Sequence, residues 1–143
     1  MIEQKKSPIE EVRTILGLSI FLHTDFASAE ERVLRELTIE GFGVYTELDV
    51  RETLKKKLDV DFRPYKILSA YNPPLAYQAL SQASEVGLLL PCNITIAQVG
   101  EDQVEVCMAD PLTMMAIIDR PEMAIIARDA RARLERVITA LAN

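Results

Sequence analysis

The sequence predicts an α+β fold: a mainly antiparallel five-stranded sheet with helices packed on one face and a long C-terminal helix across the sheet. Three observations carry that expectation. Strand-like and helix-like segments do not alternate regularly, because two strands run back to back through Gly100-Glu101-Asp102 and two helices follow them. Each strong helical segment has one apolar stripe, which segregation of the helices to one side of a sheet would bury. The last helical segment, from Pro121 to about Leu141, extends about 30 Å, enough to cross five strands spaced about 4.8 Å apart. No GxGxxG, P-loop or internal repeat is present, so nucleotide binding has no positive signal.

The elements follow in order. Residues 14–23 are rich in β-formers and nearly all apolar, as a central strand would be. Ser28 and Glu31 have capping-box spacing, Val33, Leu34 and Leu37 form an apolar face, and Gly41 marks the helix stop. Residues 43–49 alternate Val44, Thr46, Leu48 with Tyr45, Glu47, Asp49, the pattern of a strand with one wet face. Asp49 and Glu52 repeat the cap spacing before a short basic helix ending near Leu58.

Residues 65–71 predict a third strand. Asn72 and Pro73-Pro74 open a helix carrying Leu75, Ala76, Ala79, Leu80 and Ala83 at helical spacing. Strands 92–99 and 103–109 form a hairpin, Asp110-Pro111 opens a short helix, and Pro121, with Asp119 as its cap, opens the last. Residues 14–143 are expected to form a single domain, and residues 1–13 a loosely ordered N-terminal extension.

Composition narrows the function. The 143-residue chain carries a formal net charge of -6, which opposes attraction to phosphate backbones and anionic lipid. No nucleic-acid and no membrane partner is therefore expected. Lys55-Lys56-Lys57 and the Arg128, Arg131, Arg133, Arg136 series are interrupted or flanked by acids and read as solvated helix faces. Two cysteines make no disulfide framework. The apolar stretch from Ile15 to Leu22 begins too late and follows too many acids for a signal peptide, and no apolar run reaches the roughly 20 residues of a membrane span. A cytoplasmic location is the resulting expectation.

Few residues could carry chemistry. With Ile94 opposite Met108 and Ile96 opposite Val106, Cys92 falls opposite Asp110 on the apolar face and Cys107 falls on the other face beside Thr95. A Cys92–Cys107 disulfide is then excluded by direction. Cys92 is a candidate thiol with His23 and Asp110 as candidate neighbours. His23 reaches it only if the first and fourth strands adjoin. The competing expectation is an inert, space-filling Cys92, since free cysteine commonly behaves as a small hydrophobe. One histidine and two cysteines on opposite faces give no metal-ligand spacing, so neither a metal nor a cofactor is expected. Glu47 and Asp49 share a strand face, which is the pattern of a solvent face more often than of an acid–base pair.

Several short motifs occur together. They are Gly41-Phe42-Gly43-Val44 with Thr46-Glu47 and Asp49-Val50, then Asp61-Phe62-Arg63-Pro64-Tyr65, Asn72-Pro73-Pro74-Leu75-Ala76 and Gly87-Leu88-Leu89-Leu90-Pro91-Cys92-Asn93. Asp110-Pro111 and Arg131-Ala132-Arg133-Leu134 complete the set. On these motifs the chain resembles, over roughly residues 17–141, the bacterial and archaeal family known as domain of unknown function 302. The resemblance implies an α+β fold similar to TATA-binding-protein-like and helix-grip architectures and a homodimer. It implies no established activity.

Three functions compete at this stage. The first is a non-catalytic homodimer binding a small apolar or amphipathic ligand, with Tyr71, Asn72, Cys92, Asn93 and Asp110 gathered near strand ends as its polar groups. The second is thiol-based redox or sulfur handling at Cys92. The third is a structural or partner-binding subunit that uses the sheet face around Tyr45, Thr95, Ala97 and Cys107.

Overall fold

The computed structural model describes residues 13–143. The first twelve residues of the expected N-terminal extension lie outside the described residues. The strands are β1 (Gly17–Leu22), β2 (Gly43–Asp49), β3 (Tyr65–Tyr71), β4 (Cys92–Gly100) and β5 (Gln103–Ala109). The helices are α1 (Phe26–Ile39), α2 (Val50–Leu58), α3 (Pro73–Gln82), α4 (Pro111–Met115) and α5 (Pro121–Ala142), with a 3-10 turn at Ser84–Leu88.

The sheet is antiparallel throughout, in the order β1-β5-β4-β3-β2. The strands β1 and β2 are therefore opposite edges, and α1 carries the chain from one edge to the other across a face. Strict alternation assigns one face to the core: Leu18, Ile20, Leu22, Leu68, Ala70, Ile94, Ile96, Val104, Val106 and Met108 are all buried there. Val33 and Leu37 of α1 and Leu134, Val137, Ile138 and Leu141 of α5 complete that core. A second apolar cluster joins Leu75 and Ala79 of α3, Val86, Met115 and the N-terminal half of α5.

Several local expectations are corrected. The cap of α1 is Asp25, not Ser28: its carboxylate accepts from the Ser28 amide at 2.8 Å, so the helix starts at Phe26. Arg120, not Asp119, occupies the cap position of α5, with no side-chain hydrogen bond there. The first strand is shorter than residues 14–23 and is an edge strand, not a central one. The strand β2 is also an edge, kinked by a bulge between Val44 and Thr46, and most of both its faces is accessible. The hairpin pairs Ile94 with Met108, Thr95 with Cys107 and Ile96 with Val106, as the apolar pattern predicts. At the turn the register shifts between Gln98 and Gly100, and Gly100 faces Gln103.

Two glycines are required by geometry. Gly41 adopts φ +85° after α1. Its amide donates to Thr38 O, and the Phe42 amide donates to Leu37 O at 2.9 Å, which closes the helix as a Schellman motif. Gly17 lies against β5 so closely that a Cβ would fall 1.8 Å from the Met108 carbonyl oxygen. Gly17→Ala is expected to lower stability by about 2–3 kcal/mol or more, since backbone must move to admit the methyl. A urea midpoint equal to that of the parent would show that β1 sits further from β5.

Candidate functional site

Where the two apolar clusters meet, they leave a partly open cavity of about 110 Å³. Its existence follows from local sequence. The Asn72-Pro73-Pro74 run turns the chain out of β3 into α3, and Leu89 to Asn93 lead back into β4. The strand β5 ends at Ala109, beyond which Pro111 starts α4. The space between these ends is lined by small and flexible apolar groups, among them Ala76 and Ala79 of α3, Met114 and Met115 of α4, and Ala127 and Ala130 of α5.

Each polar group expected at the site has a defined position. Asn72 is buried and committed: its Oδ1 accepts from the Leu75 amide at 3.3 Å and its Nδ2 donates to the Glu40 carbonyl at 3.3 Å. The Cys92 thiol donates to the Ala109 carbonyl at 3.3 Å. Burial, together with the nearby Asp110 carboxylate, pushes its pKa up to about 12. Tyr71 meets Tyr45 edge-on with ring centres 5.5 Å apart. Asn93 is exposed, and its Oδ1 accepts weakly from the Ser69 hydroxyl at 3.5 Å.

Tyr71, Asn72, Cys92 and Asn93 line the cavity. Asp110 does not. It lies behind the wall formed by its neighbours Ala109 and Pro111, capping α4 through the Leu112 amide at 2.9 Å and facing Arg131 at 3.4 Å. His23 is a plain correction. It is exposed just beyond β1, and β1 pairs with β5, not β4, at the Leu22–Val104 end of the sheet. Cys92 is at the opposite end, about 20 Å away along the strands. No imidazole reaches the thiol.

The arginine series of α5 is also not a uniformly solvated face. Arg131 is nearly buried between Asp110 and Glu135, Arg133 donates to the Glu40 carbonyl at 3.1 Å, and Arg136 pairs with the Glu40 carboxylate at 2.8 Å. These contacts hold the long helix to the α1 terminus and to the start of α4. Glu47 and Asp49 have structural partners as well, Lys66 at 2.8 Å and the Glu52 amide at 3.0 Å. With Glu30 at 2.9 Å as a second carboxylate, the Lys66 ammonium is held above the ordinary lysine range by hydrogen bonds to both acids. Among the described residues there is no group of three or more His, Cys, Asp or Glu side chains that could hold a metal ion.

The sequence reading missed the alanines of α3 and α5 as site residues. Their helical spacing was a visible signal, but small residues at that spacing equally describe a close helix contact. Only the separation of α3 from α5 turns them into the wall of a space.

The family described as "Domain of unknown function DUF302" matches residues 19–141. The chain belongs to the DUF302 family. A solved DUF302 relative, an uncharacterized conserved protein from Bacillus stearothermophilus, superposes with a TM-score of 0.81 at 28% identity, over 89% of this chain and 98% of that one. No curated protein matches. The DUF302 assignment supports the α+β fold and the antiparallel sheet with its long C-terminal helix. No helix among the described residues is long and apolar enough to cross a membrane.

Proposed function

We propose that this DUF302 protein is a non-catalytic binder of a small apolar ligand, held in the cavity between α3, α4, α5 and the ends of β3 to β5, and that it acts as a homodimer. The observation that carries the reading is the cavity itself. Its lining is overwhelmingly carbon, and two of its polar members, the buried Asn72 and the half-buried Cys92, already have internal hydrogen-bond partners. A lining of this kind rewards apolar shape and leaves no buried side chain free to exchange a proton with a ligand. At about 110 Å³ the space is of the same order as an apolar cavity of about 150 Å³ that takes up benzene. The ligand class is therefore a compact apolar molecule or the apolar end of an amphipathic one, with Tyr71 and Asn93 at the opening to meet a polar head. Thiol chemistry at Cys92 is the weaker reading, because a thiol held protonated and lacking a base is a poor nucleophile.

Thermal unfolding in the presence of millimolar fluorobenzene tests the proposal. A ligand at 100 times its Kd stabilises by about 2.7 kcal/mol, a shift of several degrees for a domain of this size. Ala79→Leu, which places a larger side chain from α3 into the cavity, is expected to abolish the shift. Equal shifts in parent and Ala79→Leu, or no shift in either, would sink the reading.

A further inference from the structure

At the other end of β3 from the apolar cavity lies a second and larger space. It is a cleft of about 370 Å³ between the first turns of α1, the junction of β2 with α2, and the start of β3, and its walls include Phe26, Asp49, Arg51, Pro64, Tyr65 and Lys66. The strand runs from Tyr65 at this cleft to Tyr71 at the apolar cavity, about 20 Å at about 3.3 Å per residue. The two spaces share no lining residue.

The sheet register brings charge to this cleft. Lys66 pairs with Asp49 on one side and with the buried Ile96 on the other, so Lys66 and Asp49 project from the face that carries the core. Lys66 is satisfied within the fold, by Glu30 of α1 at 2.9 Å and Glu47 at 2.8 Å. Asp49 and Arg51 are placed differently. Asp49 uses one carboxylate oxygen to cap α2 through the Glu52 amide, and Arg51 is exposed. Neither makes an ion pair with any described residue, and although they are two positions apart and of opposite sign they do not pair with each other. An anion and a cation without ionic partners therefore line one cleft.

The apolar part of the wall is fixed before any ligand arrives. Phe26 packs against the main core, and Tyr65 is held in β3 with its ring centre 6.2 Å from that of Phe62. The Pro64 carbonyl accepts from the Gln98 amide at 3.0 Å. Walls that need no ordering on binding cost less affinity, and the volume lies within the roughly 300–1,000 Å³ of small-molecule sites.

We infer that this cleft binds a small zwitterion with an apolar side chain, of the class of a free hydrophobic amino acid, with its carboxylate on Arg51, its ammonium on Asp49 and its side chain against Phe26, Pro64 and Tyr65. The site is independent of the apolar cavity. A simple anion at Arg51 would meet the Asp49 and Glu30 carboxylates, and a simple cation at Asp49 would meet Arg51. A molecule with both charges gives each protein group a charge-assisted hydrogen bond, and the forked guanidinium donors suit a carboxylate. Three carboxylates, Glu30, Glu47 and Asp49, face two cations, Lys66 and Arg51. That surplus makes the ammonium end the stronger anchor and Arg51 the group that separates a zwitterion from a plain amine.

The test compares L-phenylalanine with phenethylamine and hydrocinnamate, which keep the ring but lack the carboxylate and the ammonium respectively. Amide chemical shifts of the isotope-labelled full chain report both affinity and place. L-phenylalanine is expected to move the amides of Phe26, Ala27, Arg51 and Tyr65 and to leave those of Ala76 and Ala79 in the apolar cavity unmoved. It should bind at least tenfold more tightly than either analogue, since each lacks one charge-assisted hydrogen bond. Arg51→Gln should weaken L-phenylalanine at least tenfold and leave phenethylamine unchanged. Asp49→Asn, which retains the cap of α2, should weaken L-phenylalanine and leave hydrocinnamate no weaker. Losses that do not follow the charge removed would overturn the assigned contacts. Phenethylamine binding as tightly as L-phenylalanine would overturn the zwitterion and make the cleft a cation site. Shifts confined to Ala76 and Ala79, or none with millimolar L-phenylalanine, would overturn the site. The comparison of the three ligands uses the parent protein, so it decides even if a variant fails to fold.

Discussion

Cys92 in the native protein is expected to alkylate about a thousandfold more slowly than the same cysteine in the unfolded chain. The thiolate is the reacting species, and raising the pKa from 9.0 to about 12 leaves about one thiol in ten thousand ionised at pH 8. Two causes act in the same direction. Burial removes water from the anion, and the Asp110 carboxylate repels it. The hydrogen bond to the Ala109 carbonyl adds to the preference, because that bond needs the thiol proton. Peptide mass spectrometry following Cys92 and Cys107 separately checks the result. Rapid native labelling of Cys92 near pH 7 would instead restore the thiol function and overturn the proposed one.

The same shift predicts a stability change with a definite sign. The folded state holds the Cys92 proton more tightly than the unfolded state does, so this contribution is fully present below the unfolded pKa. It is lost as pH rises through the interval up to about 12. At pH 10 the loss is about 1.4 kcal/mol. Tyrosines and lysines titrate in the same region, so the informative quantity is the difference between parent and Cys92→Ala. The variant should lack this part of the alkaline slope, and parallel stability curves from pH 8 to 10 would contradict the assignment.

Arg131→Ala is expected to lower folding stability by about 3 kcal/mol, a large effect for a residue on a helix otherwise rich in exposed arginines. The Arg131 side chain is 11% and the Asp110 side chain 9% accessible. Truncating the arginine would leave a carboxylate buried at the start of α4 with no cation facing it, and would free Glu135 as well. The carboxylate could not easily turn to water, because its other oxygen caps the Leu112 amide. Urea unfolding should show a lower midpoint with an unchanged slope. Adding Asp110→Asn to the variant should recover part of the loss, since asparagine can still cap while carrying no charge. A loss below about 1 kcal/mol would place the pair with ordinary surface salt bridges.

Much of the fold was legible because its rules are local. The apolar alternation of β4 and β5 specifies which side chains pair, and the observed register keeps Ile94, Ile96, Val106 and Met108 together on the buried face. Asn72, Asp49 and Asp110 cap the helices that follow them because each is a short acceptor just ahead of the first turn. The errors came where two local signals compete. Asp25 and Ser28 are both good caps, and the choice depends on where β1 releases the chain. At the start of α5 the cap position falls one residue later than Asp119, on Arg120, whose side chain donates to the Gln82 carbonyl at 2.6 Å, a partner 38 residues away.

The sequence by itself determined the class of this protein: an acidic α+β chain with five strands, a hairpin near its end and a long amphipathic helix to cover the sheet. Periodicity and caps depend on neighbours within a few residues, and those are written in order along the chain. Strand order was decided only by the tertiary structure, because any antiparallel arrangement would satisfy the same alternation. That order sends His23 and Cys92 to opposite ends of the sheet and makes edges of β1 and β2. It also brings Arg131 to Asp110 and opens the cavity among alanines that look like packing residues. Distances between segments depend on how the side chains of the sheet and of the helices on its face fill space, and no local pattern encodes that.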